Sequence, residues 1–191
     1  MKSSLAPIVH RIANSTRIAL LLFLGGLCSP MLARAEVSLP HVFGSHMVLQ
    51  REKPLTIWGW ASPNEKVTVT LGTATASAQA NDKGEWKVVL PAMKAGGPYT
   101  LTVSGSNTVT FDDVMIGEVW LCSGQSNMEF GIGNGNNAKE EIANANHPGI
   151  RLLMVDNHWD PLPQSDMKGT WKVCTPESVA EGGWNGFSAV G

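Results

Sequence analysis

Between residues 47 and 111 the chain is a succession of short apolar or alternating runs, each closed by turn-forming residues. The runs are Met47–Gln50, Leu55–Ala61, Lys66–Leu71, Ala74–Ala80, Glu85–Leu90, Tyr99–Val103 and Asn107–Phe111. Ser62-Pro63-Asn64, Asn81-Asp82-Lys83-Gly84, Gly96-Gly97-Pro98 and Ser104-Gly105-Ser106 punctuate them. Glycine, proline and asparagine supply the backbone angles of turns, so many short strands at regular spacing predict an antiparallel β-sandwich. In Lys66–Leu71, Val67, Val69 and Leu71 share one face and Thr68 and Thr70 the other, the period of a half-buried strand. Trp58 and Trp60 lie on one face of a strand and Trp86 follows a tight turn. Sugar stacking is one use for such rings. Packing a small sandwich core is the expected one.

A different pattern begins near residue 113. Val119 to Cys122 is a short apolar run that reads as a buried strand. It meets the polar cluster Ser123-Gly124-Gln125-Ser126-Asn127. Gly124 can turn the chain sharply. Ser126 then sits just past the turn, where open α/β sheets hold ligands and where free N–H groups can hold an oxyanion. The spacing is Gly-x-Ser-x-Met, not Gly-x-Ser-x-Gly, and on spacing alone it also fits a plain strand followed by a polar turn. Phe130 to Asn136 carries three alternate glycines and reads as a flexible loop, without the Lys-Ser/Thr of a phosphate loop. Asn137 is a candidate N-cap, with Glu140 and Glu141 in the first turn and His147-Pro148-Gly149 as the stop. Ile150–Val155 reads as a buried parallel strand, so the order strand, turn, helix, strand predicts an opening βαβ unit.

The string Gly117 to Met128 resembles the nucleophile block of sialate O-acetylesterases of the SGNH (GDSL-like) hydrolase superfamily. Weaker segments are similar in the same order. They are Leu39-Pro40 to Gln50, Ile57 to Ala61, Gly84-Glu85-Trp86, Gly96 to Tyr99, and Gly169-Thr170-Trp171 to Glu177. The resemblance implies that Ser126 is the nucleophile, with its backbone N–H in the oxyanion hole, and that Gln125 stands where the broader Gly-Asp-Ser pattern has aspartate. It implies an N-terminal β-domain over 36–112 and the start of an α/β SGNH-hydrolase domain over 113–191. It implies hydrolysis of O-acetyl esters on sialic acid or a related glycan, with no metal or organic cofactor. The superfamily's base is a histidine in a late Asp-x-x-His block. No such block is identifiable here, and His147 and His158 read as surface residues, so the chain is expected to be the N-terminal part of a longer esterase and nearly inactive alone. The competing expectation is a non-catalytic exported β-sandwich that binds glycan or a protein partner.

Lys2, Arg11 and Arg17 precede the apolar run Ile18–Leu27, and Ala33-Arg34-Ala35 offers a cleavage site. Residues 1–35 thus read as a secretory signal peptide, the run being short of the roughly 20 residues that span a membrane. The product is expected to be periplasmic or extracellular, without stable membrane association. The whole chain's net charge is −2, and cleavage would remove four cations and no acid. With no basic block, nucleic acid is an unsuitable partner. Cys28 leaves with the leader. Cys122 and Cys174 remain, and either pair in an oxidising compartment or stand as two buried thiols. No cysteine or histidine spacing suggests a metal site.

Overall fold

The computed structural model describes residues 35–181 and 187–189. The expected leader, apart from Ala35, lies outside the described residues, as do Cys28 and Trp184. Seven strands build the first part: β1 (Val48–Gln50), β2 (Leu55–Trp60), β3 (Lys66–Leu71), β4 (Ala74–Gln79), β5 (Glu85–Leu90), β6 (Gly96–Ser104) and β7 (Thr108–Gly117). They form a five-stranded sheet in the order β1-β7-β6-β3-β4 and a two-stranded sheet, β2-β5. All pairings are antiparallel except β1–β7, which is parallel.

Alternation decides which residues face inward. In β3, Val67, Val69 and Leu71 are fully buried while Thr68 and Thr70 stay on the solvent side, where they bond Ser77 and Thr75 of β4. Leu55 and Ile57 of β2 and Trp86, Val88 and Leu90 of β5 meet Leu101, Val103, Val114 and Ile116 in one core. The turn before β5 is set by its residues. Asn81 Oδ1 accepts from the N–H groups of Lys83 and Glu85 at 2.9 Å, and Gly84 takes φ +80° with no room for a Cβ beside Ala61 O.

One expectation inside this half is corrected. Trp86 is 3% exposed and belongs to the core, but Trp58 and Trp60 are on the opposite face of β2. Gly59 permits that phase. Position 59 faces inward, where a Cβ would lie 2.0 Å from Ser38 O and 3.0 Å from the Trp86 ring, so only glycine lets β2 take this phase. Its neighbours Trp58 and Trp60 then turn outward.

Beyond Gly117 the chain leaves the sheet. Residues 118–124 form no strand, and Trp120 and Leu121 are 84% and 93% exposed, which corrects the reading of Val119–Cys122 as a buried strand. A strand needs a neighbour for its N–H and C=O groups. In the described sheets no strand lies beside this run; Val119 N–H instead donates to Gln50 Oε1 at 3.0 Å. The remainder comprises two short 3-10 turns (Ser126–Glu129 and Ile132–Asn134), α1 (Ala138–Asn144), β8 (His147–Val155), β9 (Gly169–Cys174) and α2 (Pro176–Ala180). β8 is not the expected buried parallel strand. It pairs antiparallel with β9, and none of its residues is fully buried. With no strand at 119–122 there is no first strand for a βαβ crossover, and Gly169–Cys174 supplies the partner instead. The described chain is therefore mixed and β-rich, with a small helical part. No helix among the described residues is long and apolar enough to cross a membrane.

Candidate functional site

The block around Ser126 is an exposed turn. Ser126 opens the first 3-10 turn, Gln125 before it is extended (φ −101°, ψ −154°), and Met128 N–H donates back to Gln125 O at 2.8 Å. Gly124 has no positive φ, so conformational freedom is not its role here. A Cβ on it would stand 2.9 Å from Met128 Cγ; its small size lets the turn close over Met128. Both Ser123 and Ser126 are exposed. The Ser126 hydroxyl and the N–H groups of Ser126 and Asn127 have no hydrogen-bond partner among the described residues. A hydroxyl beside unengaged N–H groups is the local arrangement that acyl transfer requires.

Neighbouring segments hold this turn in place. Glu129 Oε1 accepts from Asn157 Nδ2, tying the turn to the loop after β8. The glycine-rich Phe130–Asn136 stretch contains no α-helix, as its composition implies. It is fastened by Ile132 N–H to Phe187 O at 3.0 Å and by Ala189 N–H to Phe130 O at 2.9 Å. α1 begins after Asn137, as read from the sequence, with Glu140 and Glu141 in its first turn. Asn137 takes φ +61° and its side chain makes no cap bond. Ala145, Cys174 and Val179, with Ile132, Ile142 and Leu152, form a second small core beside a cavity of about 290 Å³.

No disulfide joins Cys122 to Cys174. Cys122 is exposed, whereas Cys174 is buried with its Sγ 3.7 Å from Ala145 O. His147 and His158 are exposed, as expected. His41 pairs with Asp166 and His46 with Asp113, each at 2.7 Å. No histidine is hydrogen-bonded to Ser126, and no three metal-ligating side chains converge, among the described residues.

Sequence reading missed two polar networks. Asp113, at φ +55°, accepts from Arg151 and lies against His46. The His46 hydrogen bond, helped by the Arg151 charge and opposed by partial burial, holds the Asp113 carboxyl below its usual range. The signal was Arg151 itself, a cation inside the apolar run Ile150–Val155, which requires a partner. The second network is at the exit of β7. Gln50 Nε2 (2.9 Å) and Arg51 Nε (2.5 Å) both donate to Glu118. These bonds lower the Glu118 pKa and raise that of Arg51. Together with Gln50 on Val119 N–H, they aim the chain toward Ser126.

No profile of a known protein family matches the chain. It is 35% identical to the sialate O-acetylesterase of Mus musculus in an alignment that covers 76% of this chain and 30% of that protein. It is 36% identical to the sialate O-acetylesterase of Homo sapiens in an alignment that covers 75% of this chain and 31% of that protein. Among solved structures, a carbohydrate acetylesterase from Xanthomonas citri is 37% identical with a TM-score of 0.76, over 81% of this chain and 35% of that one. The chain is homologous to sialate O-acetylesterases and to this carbohydrate acetylesterase, and it spans about a third of the length of these relatives.

Proposed function

We propose that this chain carries the nucleophile of an exported serine esterase that removes O-acetyl groups from sialic acid or a related glycan. The observation that carries the reading is the 35–37% identity to sialate O-acetylesterases and a carbohydrate acetylesterase. The exposed Ser126 turn, with its unengaged N–H groups, supports it. In this reading Ser126 Oγ attacks the acetyl carbonyl carbon and its proton passes to a base. The oxyanion rests on Ser126 N–H, and the sugar alcohol leaves with a proton. Water then attacks the acetyl-enzyme and releases acetate, returning the proton to Ser126. In the SGNH fold the finer architecture is a β-domain from residue 36, expected over 36–112 but with its last strand β7 running on to Gly117, followed by the start of the hydrolase domain, expected over 113–191.

Acetate release from O-acetylated sialic acid and from an aryl acetate is the test. The 191-residue chain is compared with the longest product its reading frame encodes. The longest product is expected to release acetate from both. General-base help is worth about 10² to 10⁴ in rate, so the 191-residue chain, with no histidine bonded to Ser126 among its described residues, is expected to be slower by that order. No release by either protein would contradict the esterase reading.

Export is part of the same proposal. Cleavage after Ala35 gives a product beginning at Glu36, which N-terminal sequencing of the exported protein checks. A retained Met1 in that protein contradicts it.

A further inference from the structure

β2 and β5 pair with Trp58 opposite Lys87, Thr56 opposite Val89 and Trp60 opposite Glu85. Residues directly opposite in an antiparallel pair project to the same face. Leu55, Ile57, Trp86, Val88 and Leu90 occupy the inner face, so these six share the outer one. Trp58 is 39% and Val89 52% exposed. A partly open indole next to a second exposed apolar side chain on an outer sheet face offers an apolar surface to a ligand. Phe43, itself buried, meets Trp58 edge to face with centroids 4.7 Å apart and planes at 73°. That contact steadies the indole while leaving part of it open.

The polar groups beside the ring are largely uncommitted. Among the described residues the Lys87 ammonium and the Trp58 and Trp60 indole N–H groups make no hydrogen bond. Glu85 uses Oε2 on Asn81, at 2.9 Å. The face therefore combines an aromatic surface with nearby donors and an acceptor.

We propose that this outer face is a second binding site, remote in sequence from Ser126, that takes the pyranose rings of a neutral oligosaccharide. A pyranose has a face of C–H bonds, which an exposed indole covers, and a rim of hydroxyls, which needs donors and acceptors within reach. Trp58 supplies the ring surface. Lys87, Glu85 and the indole N–H groups supply the rim. One charge of each sign gives the surface no net attraction for a polyanion, which favours neutral sugars. The inference does not rest on the esterase reading, since it uses neither Ser126 nor hydrolysis.

The test is a titration of the ¹⁵N-labelled 191-residue chain, following indole N–H resonances. The ligands are cellohexaose, xylohexaose and mannohexaose, with oligogalacturonate as the anionic control. The Trp58 signal is identified by its loss in Trp58→Ala. It should shift saturably with at least one neutral hexasaccharide while the buried Trp86 signal stays in place. Trp58→Ala should weaken binding by about tenfold or more, Lys87→Ala by several-fold, and Trp58→Tyr should restore much of it. Circular dichroism of each variant should match wild type. Ser126→Ala should bind as wild type does, which separates this site from the ester site. The proposal is overturned if no neutral hexasaccharide gives a saturable shift. It is equally overturned if only oligogalacturonate binds, if Trp58→Ala binds unchanged, or if the Trp58 signal does not respond in the longest product of the reading frame.

Discussion

Arg151 Nη2 donates to both carboxylate oxygens of Asp113, at 3.0 Å each, and the Arg151 side chain is only 5% exposed. This pair fastens β8 to the middle of β7. Arg151 also donates to Pro148 O, and His46 completes the cluster on Asp113. Removing the acid would strand a nearly buried cation. Asp113→Ala is therefore expected to destabilise the fold by about 3 kcal/mol, measured by urea unfolding. Asp113→Asn should cost less, because asparagine tolerates the positive φ and keeps part of the bonding.

The same cluster sets an acid limit. The folded Asp113 carboxyl titrates below its ordinary value, chiefly through the His46 hydrogen bond. A depressed acid stabilises the fold above the unfolded-state pKa and ceases to do so as pH falls through the folded value. Stability measured from neutral pH downward should therefore fall through the acidic range less steeply in Asp113→Asn than in wild type. Identical slopes would contradict the coupling.

Glu65 makes a second such tie. Buried in the β2–β3 connection, it accepts from Ser62 N–H at 3.1 Å and from Ser106 N–H in the β6–β7 turn. Burial acts to raise its pKa, but the bonds from Ser106 and Ser62 prevail and lower it. Glu65→Ala leaves two N–H groups unsatisfied and should cost about 2 kcal/mol or more. Its contribution has the same sign as that of Asp113, being lost toward acid. A thermal melt of Glu65→Ala within error of wild type would contradict this role.

The tryptophans separate by parity. Trp86→Ala removes a core ring and should destabilise by about 3–5 kcal/mol. Trp58→Ala on the outer face should cost about 1 kcal/mol or less, apart from its edge contact with Phe43. Chemical denaturation of the two variants checks the order. Equal losses would return Trp58 to the core.

The positions of the seven strands were legible because each declares itself locally: alternation in Lys66–Leu71, and a turn such as Asn81–Gly84 between neighbours. The length of β7 was not: read as ending at Phe111, it runs on to Gly117 beside β1. The helix after Asn137 was legible for the same reason. The phase of β2 was not, since Leu55 and Ile57 on one face and Trp58 and Trp60 on the other both look apolar. The close approach of Ser38 O to Gly59, which only glycine accommodates, is visible in the fold and not in the local sequence. Val119–Cys122 has strand composition, but strand formation depends on a partner that composition does not specify. The same holds for β8, whose antiparallel neighbour β9 comes after a loop of thirteen residues, 156–168. At the candidate site, Ser126 was singled out by its motif and lies on an exposed turn. The anchors that hold the approach to it, Gln50, Arg51 and Glu118, are separated by nearly seventy positions and carry no joint signature.

The assignment of Ser126 as nucleophile is tested most directly by single-serine variants. Acetate release from O-acetylated sialic acid is measured on the longest product of the reading frame, as wild type, Ser126→Ala and Ser123→Ala. Removing a nucleophilic serine costs on the order of 10³-fold or more, so Ser126→Ala should fall to background. Ser123→Ala, altering a hydroxyl that precedes the turn, should stay within about tenfold of wild type. Full activity in Ser126→Ala, or a loss confined to Ser123→Ala, would contradict the assignment.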